Sequence, residues 1–258
     1  TTWGIAADGI GAGATSEVFI DNESIITTNA ASALGLSLDG NSTAIIDEGS
    51  SIVTNGFEAY GVDIGAGSSL TVDNGSRITT NGIDAWGVFA EDNSWVRVDN
   101  GSRVTTHGAG AHGMYGQEGS TLIVDNASRI RTHGLIARGI ETRDDTELTV
   151  ANGSMVETLG LTSRSLFIRD SSTATIDSSF ISSLFSSEIY AETFFGGSNL
   201  NVQITGNDLN SGTGFIVLDN SAGGTLTVNG AANAAGLATS NGIPSGNVTE
   251  FGTITFSP

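Results

Sequence analysis

Three sets of residues have types and spacing that chemistry could use. Counting by 26 from Tyr60 reaches Trp86, His112, Arg138, Arg164 and Tyr190, a run of aromatic, imidazole and guanidinium side chains at one repeated position. Aromatic faces suit sugar rings and guanidinium groups suit carboxylates, so these six residues form a candidate ligand-binding stripe, widened by Phe89, Tyr115 and Phe167. The same count links Asp21, Asp47, Asp73, Asp99, Asp125 and Asp177, broken only by Ala151. A stacked carboxylate row either gathers cations such as Ca²⁺ or bonds its own turn backbone, and the DNGS and DNAS settings favour the turn. Arg77, Arg103 and Arg129, four residues later, are the expected counter-charges. The third set is thin. His107 and His133 lack a third ligand of zinc type, and Asp144 with Asp145 beside Arg143 lacks a matching acid or base. Both read as corner residues, and the expectation is no catalysis, no metal site and no cofactor.

Charge narrows the function classes. The chain has 28 acidic against 9 basic residues, for a net charge of -19, and every basic residue is Arg. That excludes a generic binder of nucleic acid or anionic membrane, because phosphate neutralisation needs clustered cations over a wide surface. Cysteine is absent, which removes disulfides, thiolate metal sites and cysteine nucleophiles. The chain is poor in the Glu, Lys and Leu that build helices and rich in Ser, Thr, Asn and Gly, so an all-β fold is favoured.

These residues are positioned by an internal repeat. SSLTVDNGSRITTNGIDAWGVFAEDN from Ser68 is followed in the same phase by units from Ser94 and Ser120, and the phase reaches back to Ser16 and forward to Ser172. TTWGIAADGI at Thr1 matches TTNGIDAWGV at Thr79, so the chain is expected to begin partway through a repeat. Within each unit, stretches of three to five residues alternate apolar and polar, separated by DNGS, NG and Gly-rich turns. Three short strands and three bends per 26 residues describe a parallel β-helix. Residues 1–171 read as regular coils and 172–258 as less regular coils of the same domain, nine to ten in all. Val72, Val98 and Val124 should stack in one interior row. Gly56, Gly82, Gly108, Gly134 and Gly160 read as corner residues needing backbone angles that other residues avoid. The Thr28 to Thr158 series raises ordered-water binding, but no TxT motif recurs.

Other repeat folds fit less well. The LxxLxLxxN pattern of leucine-rich repeats and the GGxGxDxU pattern of calcium rolls are missing, and a constant period argues against a sandwich or antiparallel barrel. A β-helical polysaccharide lyase or hydrolase needs carboxylates converging from neighbouring coils inside long loops, and constant coils through Arg169 leave no room for such loops.

The unit S-x-L-x-V-D-N-G-S-x-I-x-T-x-G-x-x-A-x-G-V resembles the passenger repeats of bacterial type V secreted autotransporters, especially pertactin-like adhesin passengers. The resemblance covers residues 1–171, and GGSNLNVQITGND and GGTLTVNG look like the C-terminal passenger coils of that family. It implies a right-handed β-helix, export through the periplasm and display outside a Gram-negative cell. The expected role is an adhesin or self-association scaffold, with a host matrix protein, a glycan or another passenger as partner. Membrane attachment would come only through a translocator barrel that these residues do not contain. A glycan-cleaving enzyme and a non-binding stalk are the alternatives. No serine protease module and no RGD tripeptide is present, so integrin binding is not implied.

Overall fold

Alternation on a strand sends every second side chain to the same face, so each SLTV-like run has one buried and one outward row. The structure, a computed structural model, describes residues 1–2, 7–184 and 189–193, and then the strands at 200–205, 215–220, 224–229, 234–239, 246–248 and 253–256. All the described regular structure is β-strand, in three sheets of 11, 10 and 7 strands. The first face is built from strands such as Val62–Ile64, Val88–Ala90 and Met114–Gly116. The second comes from Ser69–Val72, Trp95–Val98 and Thr121–Val124, and the third from Arg77–Thr80, Arg103–Thr106 and Arg129–Thr132. Consecutive coils pair in parallel with a constant offset: Val72, Val98 and Val124 are register partners, as are Val62, Val88 and Met114.

The core is a set of stacked rows. Val72, Val98 and Val124 are fully buried, and so are Ile52, Ile78, Val104 and Ile130 from the third face and Val62, Val88, Met114 and Ile140 from the first. Each such side chain contributes about 1.5–3 kcal/mol by leaving water. The Thr series also points inward. Thr28, Thr54, Thr80 and Thr106 are fully buried, and each hydroxyl donates to the carbonyl of Ala33, Ala59, Ala85 or Ala111 across the corner. This row therefore bonds the coil to itself and presents nothing to solvent.

The glycine row has a different cause from the one expected. None of Gly56, Gly82, Gly108, Gly134 or Gly160 has a positive φ; instead, a Cβ on Gly108 would sit 1.7 Å from the carbonyl oxygen of Gly82, and Gly82 stands in the same relation to Gly56. Close approach between coils, and not backbone angle, selects glycine there.

The Asp row bonds its turns, as expected. Asp73, Asp99 and Asp125 accept the next residue's backbone N–H at Oδ1 and also the side-chain amide of Asn100, Asn126 and Asn152 from the following coil. The counter-charge is Arg97 and not the Arg77 series. Its guanidinium bridges Asp99 at 2.7 Å and Asp125 at 2.9 Å from the second face. Burial tends to raise the Asp99 pKa, but hydrogen bonds from Asn126 and Arg97 outweigh it and hold the carboxyl below its ordinary value. Asp144 and Asp145 occupy left-handed turn positions, with Asp144 accepting from Arg143 at 2.7 Å.

The coil count differs from the expected nine to ten. Seven strands make the third face among the described residues, giving seven complete three-sided coils, while the first and second faces run on to later strands. The phase slips where the sequence loses its glycine landmarks. Met155 pairs with Phe180, one residue short of a full period, and Leu166 pairs with Ile189, three residues short. A longer connection compensates. Ala174, Val202 and Leu226 are partners in turn, which returns Leu226 and Val228 to the original phase. The last strands of the first and second faces pair antiparallel. Phe185, Phe194 and Phe195, which mark the irregular region in the sequence, lie outside the described residues.

Gly108→Ala tests the close-approach reading. The added methyl has to push coils apart, so the variant should lose at least about 2 kcal/mol of stability, read as a lowered urea midpoint. Gly101→Ala, at a turn where a Cβ meets nothing within 4 Å, bears only the strain of φ 74° and should lose less.

Candidate functional site

The stripe sits where the chain turns from the third face into the first. Backbone N–H groups of Gly61, Gly87, Gly113 and Gly139 donate to the carbonyls of Trp86, His112, Arg138 and Arg164, which places Tyr60, Trp86, His112, Arg138 and Arg164 in one row, coil upon coil. Tyr190 does not continue it. The three-residue slip pairs Tyr190 with Phe167, so its backbone joins the neighbouring row of Asp63, Phe89, Tyr115, Glu141 and Phe167.

Within the row the rings spend their faces on one another. Tyr60 and Trp86 stack at 4.9 Å with planes 2° apart, and Trp86 stacks on His112 at 5.5 Å and on Tyr115 at 4.7 Å. Phe89 closes the cluster, tilted against Tyr60, Trp86 and Tyr115. Such packing favours the fold, but it takes up the flat surfaces that a sugar ring would need. The rings of Tyr60, Trp86 and His112 thus stand stacked in the predicted row, with Trp86 covered on its faces by its neighbours.

The arginine end is similarly self-satisfied. Glu141, 1% exposed, faces Arg138, with which it forms a short ion pair, Arg169 at 3.4 Å and His112 Nε2 at 3.3 Å. The His112 Nδ1 accepts the Arg138 backbone N–H at 3.1 Å, which puts the imidazole proton on Nε2, toward Glu141. Burial, and then the nearby Arg138 charge, push the His112 pKa down to about 3, so the ring is neutral at physiological pH. Phe167 lies under three guanidiniums, those of Arg138, Arg164 and Arg169, with the nearest 4.0 Å from the ring centre. Glu141 is a member that sequence reading missed. A carboxylate three residues after Arg138, on an outward strand position, was the available signal.

The opposite end is acidic. A cavity of about 220 Å³ is lined by Asp39, Asp63, Glu91 and Asp92 among others. Burial raises the Asp63 pKa to about 6, helped by repulsion from Glu91, Asp8 and Asp39. No group of three or more His, Cys, Asp or Glu arranged to hold a metal occurs among the described residues. His107 and His133 stack on each other at 4.6 Å on the third-face corner.

Beside the aromatic row runs a groove of about 380 Å³, floored by Tyr60, Trp86, His112 and Arg138 and edged by Glu58, Asp84, Gly110 and Ile136. Next to its edge residues in sequence runs an apolar rim. Phe57, Ile83, Leu135 and Leu161 occupy a single repeated corner position and are 50%, 55%, 52% and 53% exposed, with Ile136 beside them at 64%. Ile136 holds φ 59°, a conformation that a β-branched residue seldom adopts. The rim was legible as the residue after the Gly row, yet the sequence reading concentrated on the position three residues later.

No family model matches the chain, and no curated protein matches it in sequence. Among solved structures it is similar to the chain of Vag8, a Bordetella autotransporter passenger, in the cryo-EM structure of the Vag8–C1 inhibitor complex. The TM-score is 0.62 and the identity 18%, over 92% of this chain and 65% of that one. The chain thus has a parallel β-helix fold like that of Vag8, and it spans slightly less than two thirds of that chain.

Asp63→Asn tests the acidic end. The raised pKa means that folding opposes ionisation: the wild type loses stability as pH rises from about 4 to about 6 and carries the full penalty above that. The variant should match the wild type below pH 4 and melt at a higher temperature at pH 7. Equal melting temperatures at pH 7 would contradict the burial and repulsion assigned to Asp63.

Proposed function

We propose that the chain is a non-catalytic binding segment of a surface-displayed passenger, exported through the periplasm and exposed outside the cell, whose partner is a protein: a host protein or another passenger. The observation carrying this reading is the apolar rim. Four large side chains, each about half exposed, stand at one corner position beside a preformed groove, with Ala109 between Ile83 and Leu135, in a chain whose solubility rests on Ser, Thr, Asn and acidic groups. Clustered exposed apolar side chains mark protein-binding sites, with a few large anchors supplying most of the affinity. The fold shared with Vag8, solved in complex with C1 inhibitor, supports protein recognition by a rod of this kind. A passive stalk would have no use for the rim.

The groove floor is a poor place to test this. Arg138→Ala would leave the buried Glu141 short of a partner and cost about 3 kcal/mol in folding, which confounds any loss of adhesion. Phe57→Ser, Ile83→Ser and Leu135→Ser together remove three of the four anchors and leave the core untouched. Cells displaying this triple variant at wild-type levels and with a wild-type melting profile should lose about tenfold or more of their adherence to host-protein-coated surfaces or of their cell–cell aggregation. Wild-type behaviour in both assays would overturn the reading.

A further inference from the structure

The third face carries a feature that neither the rim nor the groove explains. Arg77, Arg103 and Arg129 are direct register partners on three successive coils. Arg77 and Arg103 are exposed and Arg129 is partly so. Three like charges one strand spacing apart repel, and the chain has 28 acidic residues with which to neutralise them. It does not do so: among the described residues no ion pair involves Arg77, Arg103 or Arg129, whereas Arg97, Arg131, Arg138, Arg143 and Arg169 each pair with a carboxylate. The nearest acidic row is committed elsewhere. Asp99 and Asp125 give Oδ1 to backbone and Asn donors and Oδ2 to Arg97, which approaches from the second face. The third-face strands from Ile25 to Ser183 contain four Arg and one carboxylate, Glu157, and that carboxylate is paired with Arg131 at 2.7 Å.

A repeated, unpaired row on a rigid sheet fits an anion that is itself repeated and linear. Guanidinium groups bind oxyanions through two parallel N–H donors, and here successive forks are fixed by the parallel register. Thr79 and Thr105, register partners of each other on the same face, add hydroxyls alongside the row. Nucleic acid fits badly. The third-face strands Arg77–Thr80, Arg103–Thr106 and Arg129–Thr132 carry no Phe, Tyr or Trp on which bases could stack. We propose that the third face of coils three to five docks a linear sulfated polysaccharide laid along the rod axis, gripped by Arg77, Arg103 and Arg129. This surface is independent of the apolar rim.

The test uses the whole chain and heparin as probe. Ser is already the residue at this position one coil earlier, at Ser51, so the Arg77→Ser, Arg103→Ser, Arg129→Ser variant is compatible with the strand. The wild type should be retained on immobilised heparin and eluted by salt, and the triple variant, with an unchanged melting curve, should bind at least tenfold more weakly. Each single Arg→Ser variant should show a partial loss, which keeps the test decisive if the triple variant folds poorly. The rim variant should bind heparin like the wild type, so failure of one surface is distinguishable from failure of the other. Absence of wild-type retention, equal retention of the Arg variants, or tighter binding of a single-stranded oligonucleotide of equal charge would each overturn the proposal.

Discussion

The contact on which the molecule depends is the approach of one coil to the next at the glycine corner. There the carbonyl oxygen of Gly82 lies where a Cβ of Gly108 would be, and the same relation recurs at Gly134 and Gly160. Backbone hydrogen bonds between parallel strands set the spacing of the coils, and glycine lets this corner follow that spacing where a side chain would not fit. With this corner closed, backbone hydrogen bonds run from coil to coil, and through the regular coils each residue stands on the residue 26 positions earlier. Serine and threonine complete the arrangement from inside: Ser42 and Ser68 accept backbone N–H groups of the preceding coil, and the buried Thr hydroxyls tie each corner to its own turn.

From this stacking it follows that chemistry in the molecule is organised by row. Rows of like residues reinforce where the interaction is attractive, as in the Tyr60–Trp86–His112 stack and the Asn29–Asn55–Asn81 amide chain. Where like groups repel, the row needs an intruder. The Asp row has Arg97 and shared Asn amides, and Arg138 and Arg169 beside Phe167 have Glu141. The first face is consequently graded along the axis, from Asp39, Asp63 and Glu91, through a block of rings, to Arg138, Arg164 and Arg169. The row of Arg77, Arg103 and Arg129 lacks such an intruder.

Much of this was legible in the sequence because a constant period turns spacing into adjacency. The three-strand coil, the interior Val72, Val98 and Val124, the turn role of the Asp row and the alignment of Tyr60 through Arg164 all follow from counting. What counting does not reveal is direction within a rung. It puts Trp86 beside Tyr60 but not face to face with it, and it puts Arg77 four residues from Asp73 without showing that the Asp carboxylates turn toward Arg97. Counting also assumes a constant period, and Tyr190 fell out of its row because the coil before it is three residues short. The glycine corner shows the same limit: recurrence indicated that glycine was required, and only the distance to the neighbouring carbonyl gave the reason.

The register itself can be measured directly, since the chain has no cysteine of its own. Thr79 and Thr105 are outward-facing partners on adjacent coils of the third face, at a strand spacing of about 4.8 Å that lies within disulfide reach. In a Thr79→Cys, Thr105→Cys variant, mild oxidation should close the bond rapidly and within one molecule, whereas a Thr79→Cys, Arg103→Cys pair, two residues out of register, should close slowly or not at all. Equal closure of the two pairs, or faster closure of the offset pair, would contradict the coil-on-coil stacking from which every row described here is derived.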